Sequence, residues 1–215
     1  IHLPHNLIFL KARSMENNLI TLSPKNNGKI VCIVGKSGAG KTSFLQYLYK
    51  REEEKGEGNV LFIHAPSRIR ENYPSFIVRK RRNMDEMSDI IQRLGKEEGI
   101  KENVSSSKEI LGIIHTFLLN GVINKGSMII LDSLDALMDT NDMKFLLSIL
   151  ETMRREKGVR IITSVSTIIG VRAIETYMSD VEFYEIKKGK ERVDMERRER
   201  SEEVYSFFLS GMEDL

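Results

Sequence analysis

A mixed α/β fold with a mostly parallel central sheet flanked by helices is what this 215-residue sequence predicts. Three observations carry that expectation. From residue 29 onward, short apolar runs alternate with helical patterns, the order produced by parallel strands joined through crossover helices. The runs are continuously apolar and rich in β-branched residues, as strands covered on both faces are. Near residue 180 the chain changes into short pieces separated by charged turns, which suits antiparallel strands added at the carboxy-terminal edge.

Each element has a local reason. Residues 29–34 (KIVCIV) form an apolar run ended by Gly35, a first buried strand. Phe44, Leu45, Leu48 and Tyr49 follow at helical spacing, and the charged EEEK run and Gly56 close that helix. Residues 59–64 (NVLFIH) make a second strand halted by Pro66. Met84, Met87, Ile90, Ile91 and Leu94 line one helical face up to Gly95. Ser106 and Glu109 have capping-box spacing ahead of Ile110, Ile113, Ile114 and Phe117. Residues 127–131 (SMIIL) give a third strand, Phe145 to Met153 the apolar face of another helix, and residues 159–165 (VRIITSV) a fourth strand. In the tail, DVEFYEIK, RVDME and VYSFFLS are the expected antiparallel pieces. The whole reads as one domain over 1–215, with a lead-in at 1–28, a core at 29–180 and the tail at 181–215.

Composition narrows the class of function. With 40% hydrophobic and 30% charged residues and only 4 prolines, the chain has the make-up of a folded domain. Its 33 basic and 31 acidic side chains nearly cancel, so a nucleic-acid or membrane partner can be argued only from local clusters. A single cysteine, Cys32, excludes an intramolecular disulfide framework and a multi-cysteine zinc site. No apolar run approaches the roughly 18 residues of a membrane helix, so a cytoplasmic protein with no membrane contact is expected. The first residue is Ile rather than Met, which leads us to expect a trimmed amino terminus.

The chemistry concentrates in Gly35, Lys36, Ser37, Gly38, Ala39, Gly40, Lys41, Thr42 and Ser43. This stretch matches G-x-x-x-x-G-K-[ST] and sits after a buried strand at the opening of a helix, the context the mechanism needs. Glycines let the loop curl so that backbone N–H groups point inward, and the helix amino terminus adds partial positive charge, together making a cradle for phosphates. Lys41 would reach the β and γ phosphates, and the Thr42 hydroxyl would ligate Mg²⁺. Asp132 ends the SMIIL strand at the sheet's carboxyl edge, where it can hold Mg²⁺ through water. ATP and Mg²⁺ are therefore the expected ligands. Asp135 and Asp139 are read as capping or solvating the turn and helix that follow.

Residues 35–49 (GKSGAGKTSFLQYLY), the strand NVLFI, residues 129–139 (IILDSLDALMD) and residues 160–166 (RIITSVS) together resemble the RecA superfamily of P-loop ATPases, in its KaiC-like and RadA-like branch. The likeness runs from Lys29 to the carboxy terminus, including residues 179–186 (SDVEFYEI). It implies a RecA-like fold and nucleotide binding, with Lys41 and Asp132 as catalytic residues and Thr163 where the family places a polar γ-phosphate sensor. The family's usual glutamate after the second core strand is replaced by His64-Ala65-Pro66-Ser67, and Ser133 follows Asp132. His64 is the candidate substitute, and the departure implies nucleotide binding more firmly than fast hydrolysis.

Two basic clusters bear on partners. Arg79, Lys80, Arg81 and Arg82 are the most basic stretch, and DNA phosphates need such clustered cations. Arg198 and Arg200 resemble the family's strand that reaches a neighbouring subunit's nucleotide, implying self-association or a RecA-like partner subunit. Three roles compete at this level: a recombinase paralogue or DNA-repair accessory, a KaiC-like regulatory or assembly ATPase of the archaellum-accessory type with protein partners, and a small-molecule kinase.

Overall fold

The computed structural model describes residues 30–55, 59–64, 75–79, 112, 114–115, 123–137, 140–188, 193–198 and 203–206. Among them seven strands form one sheet: β1 (Ile30–Val34), β2 (Val60–His64), β3 (Ser75–Arg79), β4 (Met128–Asp132), β5 (Arg160–Val165), β6 (Val181–Lys188) and β7 (Val193–Arg198). The helices are α1 (Lys41–Lys55), α2 (Leu134–Leu137), α3 (Thr140–Lys157) and α4 (Ile168–Tyr177). The spatial order is β3-β2-β4-β5-β1-β6-β7. Strands β2, β4, β5, β1 and β6 are parallel, and β3 and β7 are antiparallel at the two edges. The mixed α/β, mostly parallel architecture expected from the alternation is what forms.

Every residue of β1 and of β4 is buried, which is why these runs are apolar without alternation. On one face, Phe44, Leu45, Leu48 and Tyr49 of α1 pack against Val31, Ile33, Phe62 and Ile130. On the other, Leu146, Leu147 and Leu150 of α3 and Val171 and Ile174 of α4 cover Cys32, Val34, Leu131 and Ile161. Three layers result, and the carboxyl ends of the parallel strands open together at one edge. No helix among the described residues is long and apolar enough to cross a membrane.

Several expectations are corrected. Phe145 is 59% exposed, because the buried stripe of α3 runs through Met143, Leu146, Leu147, Leu150 and Met153, and Phe145 falls outside that arc. Among the described residues the expected antiparallel carboxy-terminal edge is the β6–β7 pair, while β6 itself runs parallel to β1. Residues 203–206 form a helical turn rather than part of a strand. Val204 is fully buried beside α4, Arg172 lies 5.6 Å from the Tyr205 ring, and the Tyr205 hydroxyl donates to Glu175. The residues 84–95, Ser106, Glu109 and the lead-in 1–28 lie outside the described residues; residues 112 and 114–115 are helical, with Ile114 buried in the core.

A charged network ties α3 to the turn before β6. Arg154 clamps Glu151 through two bonds of 2.8 and 3.0 Å, and the Ser179 hydroxyl donates to the same carboxylate at 2.7 Å. The Arg154 hydrogen bonds, helped by Ser179 and Arg155 and opposed by burial, hold the Glu151 carboxyl down to about 2. Its native pKa lies below the unfolded value of about 4.3, so its stabilisation is complete above pH 5 and is lost as pH falls through the range down to about 2. Glu151→Gln should cost about 1–3 kcal/mol at pH 7 and much less near pH 2. Denaturant titrations of both proteins at the two pH values check this; an equal deficit at both would refute it.

Candidate nucleotide site

The loop between β1 and α1 turns on two glycines in left-handed conformation, Gly38 (φ 78°) and Gly40 (φ 101°), where a side chain would be strained. The Ala39 N–H bonds Lys36 O at 3.1 Å, and the Phe44 N–H bonds Gly40 O at 3.0 Å, closing the loop and starting the helix. Gly35 has a different reason to be glycine. A Cβ there would lie 2.8 Å from both the carbonyl oxygen and the Cγ2 of Ile186 on β6, so the loop can leave the sheet only without one.

Lys41 folds back over this loop. Its ammonium donates to Gly35 O at 2.6 Å and Lys36 O at 3.0 Å, and only 6% of the residue is exposed. Burial pulls its pKa down, and the negative charges of Asp135 and then Asp132 oppose that pull. Next to it, the Thr42 hydroxyl donates to Asp132 Oδ2 at 2.7 Å, a bond spanning 90 positions of sequence. The fully buried Asp132 is fixed from its other side as well: Ser164 donates to Oδ1 at 2.8 Å, and the Ser133 hydroxyl lies 3.4 Å from the same oxygen.

The sheet order explains this convergence. β5 alone separates β1 from β4, so Ser164 on β5 sits between the loop and Asp132. Alternation along β5 turns Ser164 toward the α1 face, and Thr163 toward the other. Thr163 is buried, and its hydroxyl donates to Leu131 O at 3.1 Å. Ser164 is thus the polar residue of β5 that reaches the site, and the sequence reading passed over it in favour of its neighbour.

Just after Asp132, Ser133 adopts a left-handed backbone (φ 55°), and its N–H donates to Ser164 Oγ at 2.8 Å. That tight turn sends the chain into α2 and brings Asp135 to the end of β5, where Asp135 Oδ2 accepts the Ser166 N–H at 2.8 Å. The expectation that Asp135 merely caps or solvates its own helix is therefore corrected: it bonds the neighbouring strand's end, and its Oδ1 is buried with no hydrogen-bond partner among the described residues. Asp139 lies outside the described residues.

His64 ends β2 at the register position opposite Asp132, and its side chain is outside the described residues. Arg79 ends β3, while Lys80, Arg81, Arg82 and Arg200 are outside them. Arg198 pairs within its own chain: its guanidinium donates to Glu185, which is 1% exposed, through Nε at 2.8 Å and through a second contact from Nη2. Arg197 pairs with Glu182 at 3.1 Å. Within this chain Arg198 is thus tied to β6, and it also pairs with the exposed Glu196 at 3.2 Å.

Chemically, the cradle offers backbone N–H groups, a helix amino terminus and one ammonium to an anion. Thr42 and Asp132 offer only hard oxygen donors, the set Mg²⁺ takes together with water and phosphate, so these residues fit that ion. Residues 25–169 match the AAA domain family. Two solved structures are similar to parts of the chain. One is cbiO1 from Clostridium perfringens, part of the ABC transporter complex cbiONQ, at 16% identity and TM-score 0.45, covering 83% of this chain and 80% of that one. The other is a KaiC-like protein from the hyperthermophilic archaeon Pyrococcus horikoshii OT3, at 21% identity and TM-score 0.43, covering 80% of each chain. No curated protein matches the chain.

Proposed function

The chain belongs to the AAA domain family of P-loop NTPases, and from that premise we propose that it binds Mg²⁺-ATP and hydrolyses it slowly, as a RecA/KaiC-like accessory protein. The observation that carries the reading is the 2.7 Å bond from Thr42 to Asp132 beside the buried Lys41: three groups from two distant segments meet at the carboxyl edge of the sheet. Loop N–H groups and Lys41 hold the β and γ phosphates. Thr42 and, through water, Asp132 would hold Mg²⁺, which would supply positive charge to offset that of the phosphates. Ser164 keeps Asp132 aimed at Thr42.

Slow turnover follows from Ser133, which stands after Asp132 where other P-loop proteins carry a glutamate. Such a site suits a nucleotide-dependent switch, and Arg79, Lys80, Arg81 and Arg82 favour DNA as what the switch acts on, in recombination or repair. Calorimetry with Mg²⁺-ATP should show binding that weakens when Mg²⁺ is removed. Turnover of the purified chain should lie well under the 1–100 s⁻¹ or so of kinases. Absence of any binding would overturn the nucleotide reading. DNA affinity that does not fall with added salt, or is absent with and without ATP, would move the role to protein partners.

A further inference from the structure

We propose that Asp135 supplies the carboxylate that orients the attacking water when ATP is hydrolysed at this site, an inference that rests on the nucleotide reading above. The carboxylate already in the site has another task, holding Mg²⁺ together with Thr42. Both Asp132 oxygens are engaged, Oδ2 by Thr42 and Oδ1 by Ser164. Ser133, the residue after it, is uncharged and turned back upon Asp132.

Asp135 differs on each count. The left-handed turn at Ser133 carries it across the carboxyl ends of β4 and β5, the edge on which the phosphates would rest. The Ser166 N–H fixes one of its oxygens at 2.8 Å, which orients the carboxylate. The other oxygen is buried with no hydrogen-bond partner among the described residues. A buried carboxylate oxygen without a donor is costly, by more than about 1–3 kcal/mol, and native structures keep few of them. A water molecule held there would satisfy it, at the carboxyl edge of the sheet that also carries the phosphate loop. The negative charge of Asp135 also reaches Lys41, where it opposes the lowering of the ammonium pKa by burial.

The step balances as ordinary hydrolysis. The water oxygen forms a new bond to the γ phosphorus, and the bond to the β,γ-bridging oxygen breaks with its electron pair leaving on ADP. One water proton passes to the Asp135 carboxylate and from there to the released phosphate. A purely structural part is the rival: Gly170 leaves only 3.0 Å between its ideal Cβ position and Asp135 Cβ, so Asp135 also packs at the start of α4.

Asp135→Asn keeps an acceptor for the Ser166 N–H while removing the charge. In single-turnover assays on the full chain it should lower the hydrolysis rate by about 100-fold or more, with ATP affinity within about threefold and melting temperature within a few degrees of the parent. If the Asn variant does not fold, Asp135→Ser, whose hydroxyl can accept the same N–H, is expected to behave in the same way. A folded variant that hydrolyses ATP at the parent rate overturns the inference, as does a rate loss that merely tracks weaker binding and melting. A parent chain that binds ATP yet shows no hydrolysis above background also overturns it, while leaving the nucleotide reading standing; failure of the parent to bind ATP would instead remove that reading.

Discussion

Lys41→Ala is expected to weaken Mg²⁺-ATP binding about ten- to a hundred-fold. Among the described residues the ammonium is the one side-chain cation folded into the loop, and a charged hydrogen bond to phosphate is worth about 1.5–3 kcal/mol. The same group bridges Gly35 O and Lys36 O, so its removal also leaves two loop carbonyls without that donor. Those carbonyls can turn to water at the open edge, so the cost to the free protein should be small, about 1 kcal/mol. Two numbers therefore separate the effects: the melting temperature without nucleotide should barely move, and the rise caused by saturating the parent with ATP should largely vanish. An unchanged Kd would mean that phosphate is held by the backbone alone.

Phe44→Ala should be the most damaging of the substitutions considered, at about 3–5 kcal/mol of folding stability. Phe44 has no exposed surface and sits two positions after Thr42, packed with the β1, β2 and β4 side chains beneath α1. Truncating it leaves a cavity directly under the first turn of that helix, the turn that presents Lys41 and Thr42. For a chain of this length each kcal/mol moves the midpoint by about 2–4 °C, so a fall of about 10 °C is expected, accompanied by weaker ATP binding. Thermal unfolding followed by circular dichroism checks it. A fall of one or two degrees would show that α1 is held mainly by its other contacts.

The two parts of the site fared differently in the sequence. The 35–43 loop and Asp132 were legible because backbone chemistry dictates their residue types: glycine where φ is positive, lysine and threonine where phosphate and metal are met, and an acid after a buried strand. Ser164 and Asp135 were not, because each matters only through tertiary register. Nothing local distinguishes Thr163 from Ser164; one faces Leu131 O and the other Asp132 because of the strand's alternation between two faces. β3 was hidden because SFIVR is short, antiparallel and runs straight into a basic cluster, with no crossover helix to announce it. Likewise α4 offers a Thr167 cap bonded to the Gly170 N–H at 3.2 Å, a signal easily lost beside an apolar run that continues from β5.

The order of strands also sets when the phosphate loop can exist during synthesis. β1 pairs with β5 and β6, and Val34 meets Val165 across about 130 positions of chain. At about 5–20 residues per second, the ribosome needs roughly six to twenty-six seconds to deliver β5 after β1 has emerged. Throughout that interval IVCIV is an unpaired, wholly apolar edge carrying the chain's sole thiol, and α1 has no sheet to lie on. Nascent chains stalled before residue 160 should then bind holdase chaperones through this segment, and release should coincide with the arrival of β5 rather than with completion of the loop's own sequence.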